Sequence, residues 1–323
     1  MTKIFPSRLR TTPTLRDLVA ETNIRKSGLI FPFFVKDAGE VEEPHGKGVA
    51  RVPLERLIGW LSPIQELGLE SVLIFGIPNG KDCAGSEAYS EDGTVQKAVK
   101  ILRREYPSLN IVTDVCLCQY TDHGHCGILE GNRIDREKTL EALARVAVSH
   151  AQAGSDIVAP SAMADGQVAA IRAGLDGAGF VDTAVMSYST KYASSLYAPF
   201  RDAAASAPAF GDRSAHQMDF RNRREGVLEA ELDVEEGADI LMVKPALPCL
   251  DIISDLKAKI NRPIAAYQVS GEYVMIKSYC KCTGTDESRL IVETTMAIRR
   301  AGADIVISYF TPELLGLFKE GRL

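Results

Sequence analysis

No stretch of this 323-residue chain is apolar over anything near the roughly 20 residues that a helix needs to cross a bilayer. Positive charge is not in excess either: 37 Lys and Arg face 43 Asp and Glu, for a formal net charge of −6. Nucleic acid and anionic membrane, which need an electropositive face, are therefore poor partners, whereas a local basic pocket for a small anion stays compatible. Low-complexity segments are missing. The N-terminal residues Met1 to Pro6 soon turn basic at Arg8 and Arg10 and carry no apolar core of a secretory signal, so the cytosol is the expected compartment. An even cysteine count is missing too. The seven cysteines are Cys83, Cys116, Cys118, Cys126, Cys249, Cys280 and Cys282, which argues against a disulfide framework. A dinucleotide fingerprint is also lacking, because Gly174, Gly177 and Gly179 precede an apolar run instead of following one.

What is there is the composition of a large core, 46% apolar and 25% charged, with a regular alternation of elements. Apolar, β-rich runs recur at Phe31–Val35, Ser71–Gly76, Asn110–Leu117, Asp156–Ser161, Thr183–Ser189, Ala238–Pro245, Pro263–Ser270 and Asp304–Phe310. Most are apolar on both alternating faces, as in strands buried between a barrel interior and an outer ring of helices. A weak repeat, Gly154-Ser155-Asp156, Gly237-Ala238-Asp239 and Gly302-Ala303-Asp304, marks three points where glycine ends a helix and a strand follows. Before the first copy, Leu140, Leu143, Ala144, Ala147 and Ala151 form one apolar helix face. Repeated helix–glycine–strand units imply parallel strands with right-handed crossovers, and eight of them predict a closed TIM (β/α)8 barrel; an open doubly wound sheet is the rival. The expected layout is an extended N-terminal arm over 1–30, then a catalytic barrel over 31–323. In the arm, Thr14 with Asp17 predicts a capped short helix whose apolar face packs either on its own barrel or on a neighbouring subunit.

Barrels carry their chemistry at the C-terminal ends of the strands. Asp114, Cys116, Cys118, Ser161, Asp165, Ser187, Ser189, Lys191, Lys244, Ser270 and Tyr309 all fall there. Alternation predicts Cys116 and Cys118 on one side of an extended segment, with Gly124 turning the chain to bring in Cys126. Three thiolates suit zinc. A closed structural site would take His123, His125 or an outside residue as fourth ligand, and otherwise water or substrate fills that position. Lys244 ends an apolar strand, where burial and a second cation, Lys191, would lower its pKa enough for a neutral amine to attack a ketone. The alternative for each lysine is a solvent-reaching or carboxylate-paired ammonium. The segment over about 191–220 is too long for a routine connection and is expected to be an active-site lid, in which Arg201 and Arg213 are candidates for binding a carboxylate.

At these residues the chain resembles the porphobilinogen synthase (5-aminolevulinate dehydratase) family. The resemblance runs from Arg8-Leu9-Arg10 to Ser308-Tyr309-Phe310. It is specific at Asp114-Val115-Cys116-Leu117-Cys118, His123-Gly124-His125-Cys126-Gly127, Ala159-Pro160-Ser161, Met186-Ser187-Tyr188-Ser189-Thr190-Lys191, Gly211-Asp212-Arg213, Met242-Val243-Lys244-Pro245 and Val269-Ser270-Gly271-Glu272. It implies a cytoplasmic hydro-lyase of tetrapyrrole (heme) biosynthesis that joins two 5-aminolevulinate molecules into porphobilinogen with loss of two waters. It implies Schiff bases at Lys244 and Lys191, and a first carboxylate held by Ser270 and Tyr309. Arg201, Arg213 and Gln217 would hold the second, and Cys116, Cys118 and Cys126 catalytic zinc. Asp114 is a candidate for proton transfer. Glu229, in Asn222–Glu229, matches a residue facing an allosteric magnesium; a solvated acidic helix is the alternative. The resemblance also implies a homo-oligomer, usually an octamer, whose arm wraps a neighbour. The chain departs from the family at His216, where a tyrosine is expected, at Cys249, where an aromatic is frequent, and at Cys280 and Cys282. A Schiff-base aldolase on the same barrel would explain one lysine but not the cysteines. A zinc-binding scaffold would leave both lysines without a purpose.

Overall fold

The computed structural model describes residues 4–43, 49–206, 208–211 and 213–323. Residues 1–3 of the expected arm and residues 207 and 212 of the expected lid lie outside the described residues. Eight parallel strands form the barrel: β1 (Leu29–Lys36), β2 (Ser71–Ile77), β3 (Asn110–Val115), β4 (Ile157–Pro160), β5 (Ala184–Lys191), β6 (Ile240–Lys244), β7 (Ile264–Gln268) and β8 (Ile305–Ser308). Each pairs with its neighbour in chain order, and Leu29 and Ile30 of β1 pair with Val306 and Ile307 of β8, which closes the ring. The eight apolar runs are thus the eight barrel strands, and the open-sheet rival is excluded. A short strand, Arg51–Pro53, adds to the outer part of β1.

The helices are α1 (Pro13–Leu18), α2 (Leu57–Gln65), α3 (Thr94–Glu105), α4 (Arg136–Ala153), α5 (Gln167–Gly177), α6 (Ala198–Ala203), α7 (Arg223–Glu236), α8 (Leu250–Lys259), α9 (Ser270–Thr283), α10 (Glu287–Ala301) and α11 (Thr311–Lys319). None of them is long and apolar enough to cross a membrane. The internal repeat has a physical basis. Gly154, Gly237 and Gly302 all take positive φ, the conformation that favours glycine at a helix end. Two residues later the aspartate carboxylate accepts the first free N–H of the preceding strand. Asp156 accepts from Ile111 at 2.7 Å, Asp239 from Val185 at 2.8 Å and Asp304 from Ile264 at 2.9 Å. Backbone groups that would otherwise end unpaired at the barrel floor are satisfied in this way.

Two local expectations are corrected. The cap of α1 is Thr12, whose hydroxyl accepts from Leu15 N–H at 3.2 Å, because Pro13 takes the first helical position and moves the start two residues upstream of Thr14. In α4 the barrel-facing side chains are Leu143, Val146, Ala147 and His150, whereas Leu140 and Ala144 turn toward α5 beside Gly166 and Gly174. The arm from Ile4 to Asn23 has no buried residue, and burial begins at Ile24.

Candidate active site

Lys191 and Lys244 are cross-strand partners in the β5–β6 register. That pairing depends on one extra residue in β5. Ser187 pairs with Leu241, but Thr190, three residues on, pairs with Val243, only two residues on. Without this bulge Thr190 would stand opposite Lys244, so the bulge re-aims the strand end and brings the two amines to one face. Thr190 is turned outward, where its hydroxyl donates to the Gly226 carbonyl of α7 at 3.0 Å. A Cβ on Gly226 would stand 2.8 Å from both Thr190 Cγ2 and Tyr192 Oη, so this helix meets the bulge only because it has glycine there.

Lys244 is 3% exposed. Its ammonium lies 4.4 Å from the Tyr267 ring centroid, 4.7 Å from Phe200, 5.0 Å from Tyr197 and 5.1 Å from Tyr188. Burial first, and then the charge of Lys191, hold its pKa well below the ordinary lysine value, against the opposing charge of Asp114. Lys191 is also buried, and its ammonium donates to the Ser161 carbonyl. Asp114, from the end of β3, has its carboxyl pushed up to about 6 by burial, with the Ser161 hydroxyl and Lys191 working the other way. Gln119 donates to its Oδ2 at 3.2 Å, while its Oδ1 has no partner among the described residues.

The extended segment expected through Cys116 and Cys118 is replaced by a turn. The strand ends at Val115, and Tyr120 and Thr121 N–H both return to the Leu117 carbonyl at 2.9 Å. That turn, not alternation, faces the two thiols toward each other, 3.5 Å apart. With Cys126 their sulfurs all lie within 4.8 Å of one another and are buried. Zinc–thiolate bonds of about 2.3 Å in a tetrahedron set sulfurs about 3.8 Å apart, so the trio fits the ion with small adjustments. Hydrogen bonds from Cys116 and Cys126 hold the Cys118 thiol well below the ordinary thiol range, and Arg213 and Lys191 add positive charge. Among the described residues no His, Asp or Glu joins the cluster. His123 does not turn to it: its Nδ1 accepts from His125 N–H at 3.1 Å.

The segment after Lys191 forms a short 3-10 turn at Ser195–Tyr197, then α6, then an irregular stretch up to α7. It is strapped down over the barrel mouth. Arg51 and Lys81 donate to the carbonyls of Asp202 and Ala205. Ala209 N–H donates to His123 O at 2.9 Å, and Arg213 Nη2 to Gly124 O at 3.0 Å. The His125 and Phe210 rings lie 4.5 Å apart. Nε of Arg201 and of Arg213, and both amide atoms of Gln217, are buried with no hydrogen-bond partner among the described residues.

One enclosed cavity is lined by Asp114, Cys118, Gln119, Ser161, Lys191, Lys244, Arg201, Arg213, Gln217, Phe75, Tyr197 and Phe200. Ser270 and Tyr309 do not line it. Ser270 opens α9 instead of ending β7, and the Tyr309 hydroxyl lies 3.0 Å from that of Tyr267, one of the rings around Lys244. Asp165 is not there either: it is an exposed partner of Arg136 at 3.2 Å. Glu229 lies on α7 in a separate groove with Asp165, Glu225 and Cys126, and burial and then the charge of Asp165 raise its carboxyl. His216, half-buried in the segment between α6 and α7, has its imidazole lowered to about 4 by burial and the charges of Lys191 and Arg213. Cys249 and Cys280 are buried; Cys83 and Cys282 are exposed. Sequence reasoning missed the rings around Lys244, the bonds of Arg51 and Lys81 to the segment after Lys191, and the Gln119 contact. None carries a local signal, because each comes from a different strand or loop.

Fold and cavity define a (β/α)8-barrel enzyme with an amine pair and a thiol cluster at the face where such barrels do chemistry. A family model described as Delta-aminolevulinic acid dehydratase matches residues 4–317. A Delta-aminolevulinic acid dehydratase of Halalkalibacterium halodurans is 50% identical over 317 residues, covering 98% of this chain and 97% of that protein. One from Methanothermobacter thermautotrophicus is 51% identical over 314 residues, covering 96% of each. The Toxoplasma gondii enzyme, whose crystal structure holds the reaction product porphobilinogen, superposes with a TM-score of 0.96 at 37% identity, over 99% of this chain and 92% of that one. The chain belongs to the delta-aminolevulinic acid dehydratase family and is a lyase.

Proposed function

We propose that the chain condenses two 5-aminolevulinate molecules to porphobilinogen and two waters, and that Lys244 and Lys191 each hold one substrate as an imine. The carrying observation is their cross-strand pairing in one enclosed cavity with Asp114. A neutral Lys244 amine attacks the ketone of the first substrate, water leaves, and the imine acidifies the adjacent carbon. Lys191 does the same for the second, so both reacting carbons are held at high effective concentration. Asp114, pushed up to about 6 by burial and lining the same cavity as both lysines, is suited to carry a proton between them. Arg201, Arg213 and Gln217 bind one carboxylate with donors that have no protein partner among the described residues, and Ser270 and Tyr309 bind the other. Cys116, Cys118 and Cys126 would hold zinc, which when bound would supply Lewis acidity. The 191–220 segment excludes water as a lid.

The exposed arm, with Ile4, Phe5, Leu9, Leu18 and Val19 uncovered, docks on a second copy within a homo-oligomer, an octamer in our reading. Glu229 and its acidic neighbours take magnesium as a regulatory ion. Incubation with 5-aminolevulinate alone, followed by a colour test for pyrrole, tests the activity. Borohydride added with substrate should leave adducts at Lys244 or Lys191, and Lys244→Met should lower turnover at least ~10³-fold with the fold retained. Adducts mapped only elsewhere would refute the imine mechanism.

A further inference from the structure

Glu272 is the third residue of α9 and is fully buried. A carboxylate so placed is costly unless donors meet both oxygens. Its Oε2 accepts from Val269 N–H at 2.7 Å and from Ala246 N–H at 3.3 Å, and its Oε1 from Leu247 N–H at 2.7 Å. A reciprocal cap for its own helix needs only the Val269 contact. The other two reach across to the chain leaving β6, two and three residues past Lys244. One side chain therefore bolts the segment that follows Lys244 to the segment that leads into Ser270.

Everything else around this bolt is already fixed. The Lys244 carbonyl accepts from Tyr192 N–H at 3.0 Å and from Tyr197 Oη at 3.1 Å. Ala246 N–H also reaches the Tyr267 carbonyl at 3.0 Å. On the other side, a Cβ on Gly271 would overlap the Leu196 backbone, so the start of α9 is pressed against the lid and cannot move toward it. Ser270 Oγ is buried with no hydrogen-bond partner among the described residues. The separation between the Lys244 amine and the Ser270 hydroxyl is thus set by the groups that join the two segments, and Glu272 is the side chain that joins them.

We infer that Glu272 is a positioning residue that fixes the span from Lys244 to Ser270, and so sets the keto-acid chain length that the first subsite accepts. The inference rests on the proposed imine at Lys244 and carboxylate binding at Ser270. A substrate held at its ketone by one and at its carboxylate by the other is measured by that span. A single misplaced methylene is then rejected because it leaves buried polar groups unpaired.

The test is borohydride trapping at Lys244, read by peptide mass, with 4-oxopentanoate and with 5-oxohexanoate, which has one more methylene between ketone and carboxylate. Assays at pH 8.5 keep Glu272, whose carboxyl burial pushes up to about 7, in its ionised form. The natural protein should trap the shorter acid at concentrations at least ~10-fold lower. Glu272→Gln keeps the shape but turns an amide N–H toward a backbone N–H, and Glu272→Asp keeps the charge but is one methylene short of Leu247. In both, the preference should fall below ~3-fold. If Glu272 only caps α9, both variants lose thermal stability and keep the full preference, which overturns the inference. Equal trapping of both acids at Lys244 in the natural protein overturns it as well, whether or not the variants fold. No adduct at Lys244 in the natural protein would sink the imine reading instead, a distinguishable result.

Discussion

The Lys244 ammonium sits among the rings of Tyr188, Tyr197, Phe200 and Tyr267, with a second amine paired to it across the strands. Four aromatic rings around an ammonium favour its charge by up to about 2 kcal/mol each when desolvated. Burial and then the facing Lys191 act in the opposite direction and hold its pKa well below the ordinary lysine value. The cysteine trio poses a different balance. Its sulfurs sit on a turn built onto a complete barrel, so metal does not have to organise the fold. Chelation should therefore abolish pyrrole formation while near-ultraviolet circular dichroism stays native, and zinc should restore activity; unfolding on chelation would mark a structural site. His150 lies outside any chemistry. It is fully buried in α4, neither nitrogen has a partner among the described residues, and burial lowers its imidazole to about 3 from 6.5. Between those values the unfolded chain takes up a proton that the folded chain refuses. Folding stability should accordingly fall as pH drops below 6.5, by up to about 1.4 kcal/mol per pH unit from this group. His150→Leu should flatten that acid limb in urea midpoints compared between pH 7.5 and 5. An unchanged slope would mean that the imidazole is not held neutral.

At the scale of elements, the bulge in β5 aims Lys191, and α7 holds the bulge. Gly226→Ala would force a methyl into the 2.8 Å approaches to Thr190 and Tyr192. Overpacking of this kind costs about 1–3 kcal/mol. The expected outcome is a lowered thermal midpoint together with a selective loss of borohydride adducts at Lys191 relative to Lys244; equal loss at both would show general destabilisation only. The sequence announced the strands clearly because most of β1 to β8 are buried on both sides and read as largely apolar runs, and glycines such as Gly154 and Gly237 mark where helices must stop. The bulge was not legible. One extra residue between Ser187 and Thr190 leaves the apolar content unchanged and appears only in the pairing with Leu241 and Val243. The turn at Cys118 was hidden likewise, since alternation and a turn can both bring two thiols to one side. The inner face of α4 was half legible: Leu143 and Ala147 read correctly, but Leu140 and Ala144 serve α5, a partner the helix period cannot name. Of the proposed site, the residues at strand ends could be read, whereas the Tyr188, Tyr197, Phe200 and Tyr267 cage forms only when separate elements converge on Lys244.

At the scale of the whole molecule, two features of a single copy bear on the proposed assembly: an arm with no buried residue from Ile4 to Asn23, and an acidic groove on α7. In the proposed oligomer the arm's uncovered apolar groups would gain by docking on a second barrel, at about 25 cal/mol per Å² removed from water. The groove gathers Asp165, Glu225 and Glu229, whose mutual repulsion raises the Glu229 carboxyl beyond what burial does alone. A divalent cation relieves that repulsion, and magnesium does so through water without needing a full set of protein ligands. The ion can shift assembly only by binding one assembly more tightly than another. A tenfold preference contributes about 1.4 kcal/mol per site, and that is multiplied by the number of sites an oligomer closes together. Millimolar magnesium should therefore raise specific activity most at low protein concentration, where dissociation competes, and should move the sedimentation boundary toward the largest species. Glu229→Ala should remove both responses while leaving the lysine adducts and thiol metal binding intact, because Glu229 does not line the lysine cavity and is no member of the thiol cluster. If sedimentation does not depend on magnesium, or if the Glu229→Ala protein still responds, the acidic face of α7 is a solvated surface, and the repulsion that raises Glu229 is simply tolerated.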